Sequence, residues 1–418
     1  MEHLVSILDS FQPGWREQPY GDRFIDILRK LVIPSYGSLE AKIDNNTATF
    51  PREWDQIIAA LKEAGIFKCF VPVEYGGQKR SEVDLYYLME LLGFASPGLG
   101  IIFVSHGRAI DIVLQGSEDH RNEYLPRMAE GTFGAIAMTE EEAGSDPSAI
   151  SLNATKTDHH YVFSGQKVYI SNSGLARLYA VLVNTKGVKG PRSLSVFIVE
   201  KETQGFLVKE LPEKDGLKIL PTGRLVFKDA PVPSENLVGQ EGMGLLLTLD
   251  AIDRGRIHVA GICCGLAYRI FREIAHHAHR RRQFDRPLTS SQDVSFQLAD
   301  MYTRINAARG LCFYALKQLG TPYYRMSSSQ AKLFASQAVM DVAARSQILM
   351  GGRGYLKNDV VNQLAADARG MEYLEGTSNI QKMIIAKELY TIYQQKKDRD
   401  DGAGAQRTRE DGSKSLSG

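Results

Sequence analysis

The sequence predicts a mixed α and β protein, mostly α, built as a helical region, a β region and a second helical region. Three stretches of different periodicity predict this order. Apolar residues keep helical spacing from Asp22 to about Glu130, as in Phe24, Ile27, Leu28 and Leu31. Short runs rich in β-branched and aromatic residues fill about Thr132 to Gly239. Helical spacing returns from Met243 to about Tyr393.

Each region carries its own punctuation. In the first, Trp54, Ile57, Ile58 and Leu61 form one stripe, opened by Pro51-Arg52-Glu53 and stopped at Gly65. In the second, Tyr161–Phe163, Val168–Ile170, Leu178–Val183, Leu194–Val199 and Leu225–Phe227 read as strands separated by Gly, Asn, Pro and Asp. In the third, Asp293–Gln318 and Ser329–Met350 read as long helices. The expected division is an N-terminal extension 1–20, a helical domain 21–131, a β domain 132–240, a helical domain 241–394 and a tail 395–418. That tail holds Leu416 as its one large apolar side chain and is expected to be disordered.

Composition narrows the function classes. The 418 residues are 43% hydrophobic and 24% charged, which suits two or three globular domains. A net charge of +1 gives no global attraction for nucleic acid or an anionic membrane, so anions must be met at local sites. Four cysteines without C-x-x-C spacing point to a reducing compartment. The chain lacks an uninterrupted run of about 18 apolar residues, and its N-terminal apolar stretch is broken by Asp9. No membrane span and a cytoplasmic location are therefore expected. His276-His277-Ala278-His279 lacks a second ligand cluster, so no metal is expected and the histidines read as a solvated helix face. Cys263-Cys264 reads as helix packing.

Three constellations carry chemistry. The first is Ala137-Met138-Thr139-Glu140-Glu141-Glu142-Ala143-Gly144-Ser145-Asp146, a loop in which glycine permits close backbone approach and Thr and Ser donate hydrogen bonds. It suits a phosphate or a flavin edge; the bland alternative is an acidic surface turn. The second is Gly165-Gln166-Lys167-Val168-Tyr169-Ile170-Ser171-Asn172, where an aromatic ring precedes a hydroxyl by two residues and could lie against a planar cofactor. The alternative is a hairpin strand with a half-buried tyrosine. The third runs Gly351-Gly352-Arg353-Gly354-Tyr355, then Asp367-Ala368-Arg369, then Glu375-Gly376-Thr377-Ser378-Asn379-Ile380-Gln381. Ser378 and Gln381 have capping-box spacing, so a helix is expected to start there and to favour a phosphate. Glu375, just before it, stands where desolvation would raise a carboxyl pKa toward that of a general base; the alternative is a solvated loop glutamate.

In this order and spacing, the chain resembles the acyl-CoA dehydrogenase family from about Asp22 to Leu389. The family pattern has a T-E-x-x-A-G-S-D loop, a G-x-K-x-(aromatic)-I-(Ser/Thr)-N strand, an R-x-Q-F segment, here Arg281-Arg282-Gln283-Phe284, and a late E-G-T-S-x-I-Q. The step from Gly352 to Glu375 and the segment Gly223–Phe227 leading to Val232, Pro233, Asn236 and Gly239 follow it too. The resemblance implies a central β-barrel-like domain, a C-terminal four-helix-bundle domain and a homotetramer, a dimer of dimers. It implies FAD as cofactor, lined by Met138, Thr139, Gly144, Ser145, Tyr169 and Ser171. Arg281, Phe284 and Gln292 would reach the flavin from a neighbouring subunit, with Gly351, Gly352, Thr377 and Asn379 completing the site. Ser145, Asp253, Arg256 and Gly376 fall where the family meets its acyl-CoA substrate.

The implied reaction is α,β-dehydrogenation of an acyl thioester. Glu375 is the implied catalytic base, a hydride goes to flavin N5, and an electron-transfer flavoprotein is the acceptor. Alternatives on the same fold are an acyl-carrier-protein-linked dehydrogenase or oxidase, and a flavin monooxygenase; members of the latter branch usually lack the late glutamate. Departures from the pattern are Glu141 for proline, Tyr169 for tryptophan, His277 for an aromatic, and Ile348 where a glutamine is frequent. His106 and Arg108 raise a further question, because they follow Ile101–Val104 in the region that lines the family's acyl pocket. If they point inward, the acyl group should be short to medium and carry a carboxylate, hydroxyl or ring substituent. If they point outward, Arg108 pairs with Asp111 on a helix face and plain acyl chains remain allowed.

Overall fold

The computed structural model describes residues 21–42 and 52–394. The expected N-terminal extension, the tail from 395 and the Pro51 helix start lie outside them. The first helical region comprises α1 (Gly21–Ile27), a π-helical turn Leu28–Val32, α2 (Ile33–Lys42), α3 (Arg52–Glu63), α4 (Glu82–Ala95), α5 (Pro97–Leu114) and α6 (Glu118–Ala129). α3 ends two residues before Gly65, whose φ of +84° closes it as the sequence predicts. α5 starts from a Ser96 cap with Pro97 in its first turn. It is long and apolar enough to cross a membrane, yet 89% of it is buried inside the protein, so it serves as the core helix.

The β region is one sheet of eight strands: β1 (Gly134–Ala137), β2 (Asn153–Lys156), β3 (His160–Ser171), β4 (Leu178–Asn184), β5 (Leu194–Glu200), β6 (Phe206–Glu210), β7 (Thr222–Pro233) and β8 (Leu237–Val238). The order is β6-β7-β3-β2-β4-β5-β8, with β1 pairing parallel to β4. The runs Tyr161–Phe163 and Val168–Ile170 belong to one strand, β3, broken in register near Gly165 and again between Lys167 and Ile170. Every residue of β4 is buried. Its Leu178, Ala180 and Leu182 face the helices, while Tyr179, Val181 and Val183 face a separate core with Phe163, Phe197 and Phe227. Burial on both faces explains why β4 reads as a continuous apolar run.

The second helical region holds α7 (Gly244–Arg280), α8 (Gln292–Lys317), α9 (Tyr324–Leu349), α10 (Val360–Gly370) and α11, residues 378–394. α7 packs on α4, α5, α8 and α9 and so joins both helical regions. Cys263 and Cys264 are buried in it, as the packing reading predicts. Asp367 of the third motif is a fastener rather than a site residue. It accepts from Tyr36 Oη at 2.6 Å and from the Leu217 amide at 2.5 Å, tying α2 and the β region to α10, and burial pushes its carboxyl up to about 6.

Candidate active site

Glu375 lies in the loop between α10 and α11 with φ +52°, followed by Gly376 at +94°. A left-handed glutamate is strained, so something must hold it. Lys332 of α9, fully buried, donates from Nζ to the Glu372 carbonyl at 3.1 Å and the Gly376 carbonyl at 2.9 Å. Gln381 Nε2 donates to the Glu375 and Gly376 carbonyls, both at 3.0 Å. A Cβ on residue 376 would lie 2.9 Å from that same nitrogen, so glycine is required there twice over.

The cap of α11 differs from the expected Ser378–Gln381 box. Thr377 is the cap, its Oγ1 accepting from the Ile380 amide at 3.4 Å. Ser378 Oγ donates to the Glu372 carboxylate instead. Gln381 reaches back to the carbonyls that the left-handed turn leaves unpaired, and those buried acceptors outrank an end amide that water can satisfy.

The Glu375 side chain lies over Gly255 of α7. A Cβ there would sit 2.8 Å from the Glu375 carboxyl carbon, 2.9 Å from Oε2 and 3.1 Å from Arg108 Cδ. The glycine therefore opens the slot that the carboxylate and the arginine share. Burial raises the Glu375 carboxyl pKa; Arg108, Arg256 and Lys332 oppose the rise and Asp111 adds to it. Among the described residues no side chain donates to the carboxylate, which leaves its lone pairs for a proton. Asp253 and Arg256 form a buried pair close by, with Arg325 Nε 2.8 Å from Asp253.

His106 and Arg108 part company. His106 is fully buried, packed edge-on against Phe67, Phe70 and Phe133, and its Nδ1 accepts from the Gly134 amide at 3.2 Å. Burial lowers its pKa to about 3, so it is a neutral core histidine. Arg108 does pair with Asp111, at 3.0 Å, but on a buried face with 2% of its side chain exposed. The outward orientation fails because α5 is buried on nearly every side.

The first two motifs are fastened together. Lys167 Nζ, fully buried, meets Glu140 at 2.8 Å and the Met138 carbonyl at 2.9 Å, while the Val168 amide donates to the Thr139 carbonyl. Glu140 also accepts from Ser151 and Leu152 amides. Glu140 is thus buried, whereas Glu141 and Glu142 are exposed and only Glu141 behaves as a surface residue paired with Arg224. Asn172, at φ +61°, ties the end of β3 to Ile102 and Gly134. The bulge beside Lys167 holds Tyr169 at φ +59° with 63% of the residue exposed, and Ser171 is partly buried two residues on. A bare ring on a rigid bulge, beside Thr139 and a loop with open space over Gly144, fits one face of a flavin.

The remaining predicted residues gather far away. Arg281 and Gly352 line a cleft of about 710 Å³ with His276, His277, Arg280 and Arg353. This basic wall matches a diphosphate. Gly351 is exposed with open space around it, and Gln292 is exposed at the start of α8. Phe284 and Asp285 form the two-residue turn between Arg282–Gln283 and Arg286–Pro287, at φ +49° and +57°, and Phe284 is 97% exposed. From Gly255 to Arg280, about 25 residues of α7 span roughly 38 Å at 1.5 Å each. One chain's Glu375 and Arg281 therefore do not share a site, while Thr377 and Asn379 stand beside Glu375. The roles of Gly255, Lys332, Gln381, Glu140 and Lys167 escaped the sequence reading; the spacing of Glu140, Lys167 and Asn172 within the motifs was the available signal.

Comparison with known proteins agrees with this geometry. Three family models match: the acyl-CoA dehydrogenase N-terminal domain over residues 22–132, the middle domain over 135–230 and the C-terminal domain over 242–390. The chain is 35% identical over 369 residues to an acyl-CoA dehydrogenase of Bacillus subtilis, covering 87% of this chain and 95% of that one. It is 33% identical to a short-chain-specific acyl-CoA dehydrogenase of Clostridium acetobutylicum, covering 87% and 96%. The butyryl-CoA dehydrogenase structure from Megasphaera elsdenii superposes with a TM-score of 0.82 at 30% identity, covering 88% and 96%. An acyl-CoA dehydrogenase from Bacillus anthracis, solved in complex with FAD, superposes with a TM-score of 0.79 at 27% identity, covering 88% and 67%. A strained, half-buried glutamate over a helical glycine, the motif pair pinned by Glu140 and Lys167, and these matches along nearly the whole described chain lead to one conclusion: the chain belongs to the acyl-CoA dehydrogenase family.

Proposed function

We propose that the protein dehydrogenates an acyl-CoA to a trans-2-enoyl-CoA, with Glu375 as general base. The observation that carries this reading is the Glu375 carboxylate, half-buried, raised in pKa and, among the described residues, without a donor where it lies over Gly255. A proton leaving the carbon next to the thioester carbonyl passes to Glu375, which the left-handed turn, Lys332 and Gln381 hold in place. The Glu375 backbone amide faces the role of polarising the thioester carbonyl, and one such donor supplies roughly 3–4 kcal/mol. FAD, when bound, supplies the hydride acceptor, and an electron-transfer flavoprotein is the partner that reoxidises it. Met138, Thr139, Gly144, Ser145, Tyr169 and Ser171 would hold the flavin ring, with Thr377 and Asn379 beside Glu375.

Arg281, Phe284, Gln292, Gly351 and Gly352 serve the site of a second copy in a homotetramer. The bare Phe284 ring and the length of α7 support this division, because neither lets the cleft reach its own chain's base. The test is Glu375→Gln. It should fold, retain yellow flavin and lose kcat with butyryl-CoA by about 100-fold or more, the usual contribution of a general base. Retention of a tenth of the wild-type kcat would sink the assignment.

A further inference from the structure

Beside the Glu375 carboxylate the protein presents charge rather than an apolar wall. Arg108 of α5 reaches it across Gly255: its Cδ and the Glu375 carboxyl carbon lie 3.1 and 2.8 Å from one point, so they are at most 5.9 Å apart. Both terminal nitrogens of Arg108 are committed. Nη1 donates to the Ala251 carbonyl at 2.9 Å, and Nη2 lies 3.2 Å from His258 Nδ1 and 3.0 Å from Asp111 Oδ2. Its Nε, bonded to the carbon that abuts Glu375, is buried with no hydrogen-bond partner. Among the described residues, Arg256 Nε and the Tyr324 hydroxyl are buried and unpartnered as well. Arg108 already has an anionic partner: Asp111 meets it and lies 3.8 Å from Arg254, while Glu82 meets His258 at 3.1 Å.

An unpaired buried donor is costly unless a ligand satisfies it. A long alkyl chain would bury against that donor and would have to displace a guanidinium pinned on three sides. A short chain that ends in an acceptor would satisfy it, and a guanidinium already paired with Asp111 suits a neutral oxygen better than a second carboxylate. We propose that Arg108 is a specificity-determining residue: it closes the acyl slot and selects a short acyl group whose far end carries a neutral acceptor oxygen, such as a terminal hydroxyl. The proposal rests on the dehydrogenase reading above and names the substrate class for that same site.

The test uses the flavin-loaded enzyme, a dye acceptor and four thioesters: butyryl-, octanoyl-, 4-hydroxybutyryl- and glutaryl-CoA. In the wild type, kcat/KM should rank 4-hydroxybutyryl-CoA first and octanoyl-CoA last. Arg108→Met should lower the ratio of 4-hydroxybutyryl- to butyryl-CoA by about 10- to 100-fold, the factor that a hydrogen bond from a charged donor commands. Arg108→Met/Asp111→Asn removes both charges, so no lone carboxylate is buried, and it should shift the ratio the same way if the single variant folds poorly. Equal losses on all substrates, or a wild type that prefers octanoyl-CoA, would overturn the proposal. Preference for glutaryl-CoA would overturn the neutral-oxygen assignment. No turnover of any thioester by the flavin-loaded wild type would instead remove the dehydrogenase reading itself.

Discussion

Gly255→Ala isolates the geometry of the base from the fold that carries it. The added methyl would sit 2.8 Å from the Glu375 carboxyl carbon and 3.1 Å from Arg108 Cδ. Carbon atoms rest at about 3.5–4.0 Å, so the carboxylate must retreat by about 1 Å. Arg108 cannot yield in its place, because Ala251, Asp111 and His258 hold its guanidinium. A 1 Å misplacement of a catalytic group costs about 100-fold in rate. Stability should respond differently. Replacing a helical glycine by alanine contributes about 1 kcal/mol, which offsets part of an overpacking cost of about 1–3 kcal/mol. The expected result is kcat with butyryl-CoA reduced about 100-fold at nearly unchanged Tm and flavin content. The pH profile gives a second readout. The base works only when ionised and its pKa is raised by burial, so wild-type kcat/KM should fall as pH drops through an inflection above the free-glutamate value of about 4.3. A variant with more than a third of the wild-type kcat, or a wild-type inflection at or below that value, would refute the account of the slot.

Two other substitutions probe the cofactor side. Glu140→Gln leaves Lys167 as a buried cation without its counter-charge, which costs about 3–5 kcal/mol, so Tm should fall and flavin should wash out more readily on gel filtration; an unchanged Tm would show that the pair does not fasten the loop. Arg281→Ala should lower flavin occupancy and weaken the tetramer together, read by absorbance and sedimentation. Full flavin content in an intact tetramer would refute the site shared between copies.

The α, β, α order was legible because each region keeps one period over many residues, and Glu375 was legible because a motif surrounds it. The outlines of single strands were less so. The pairing of Arg108 with Asp111 could be read from a three-residue spacing, but its burial could not, since α5 carries apolar residues around its whole circumference and shows no solvent face. The cap of α11 was misplaced by one residue because Gln381 answers to two loop carbonyls, a demand created by the left-handed turn at Glu375 and invisible in the spacing. Gly255 looked like any helical glycine. Its meaning depends on a side chain 120 positions further along the chain, and such a contact leaves no local trace.

The length of α7 acts as a ruler with a phase. Gly255 marks the point where Glu375 and Arg108 meet the helix, and Arg281 follows the far end roughly 38 Å away. Adding one residue between them would advance that end by about 1.5 Å and turn it by about 100°. Restoring the direction takes about seven residues, two turns, but then the end has moved by about 10 Å. No insertion preserves both reach and orientation. The helix can be resurfaced freely, yet its length between those two points sets the separation of Glu375 from the basic cleft.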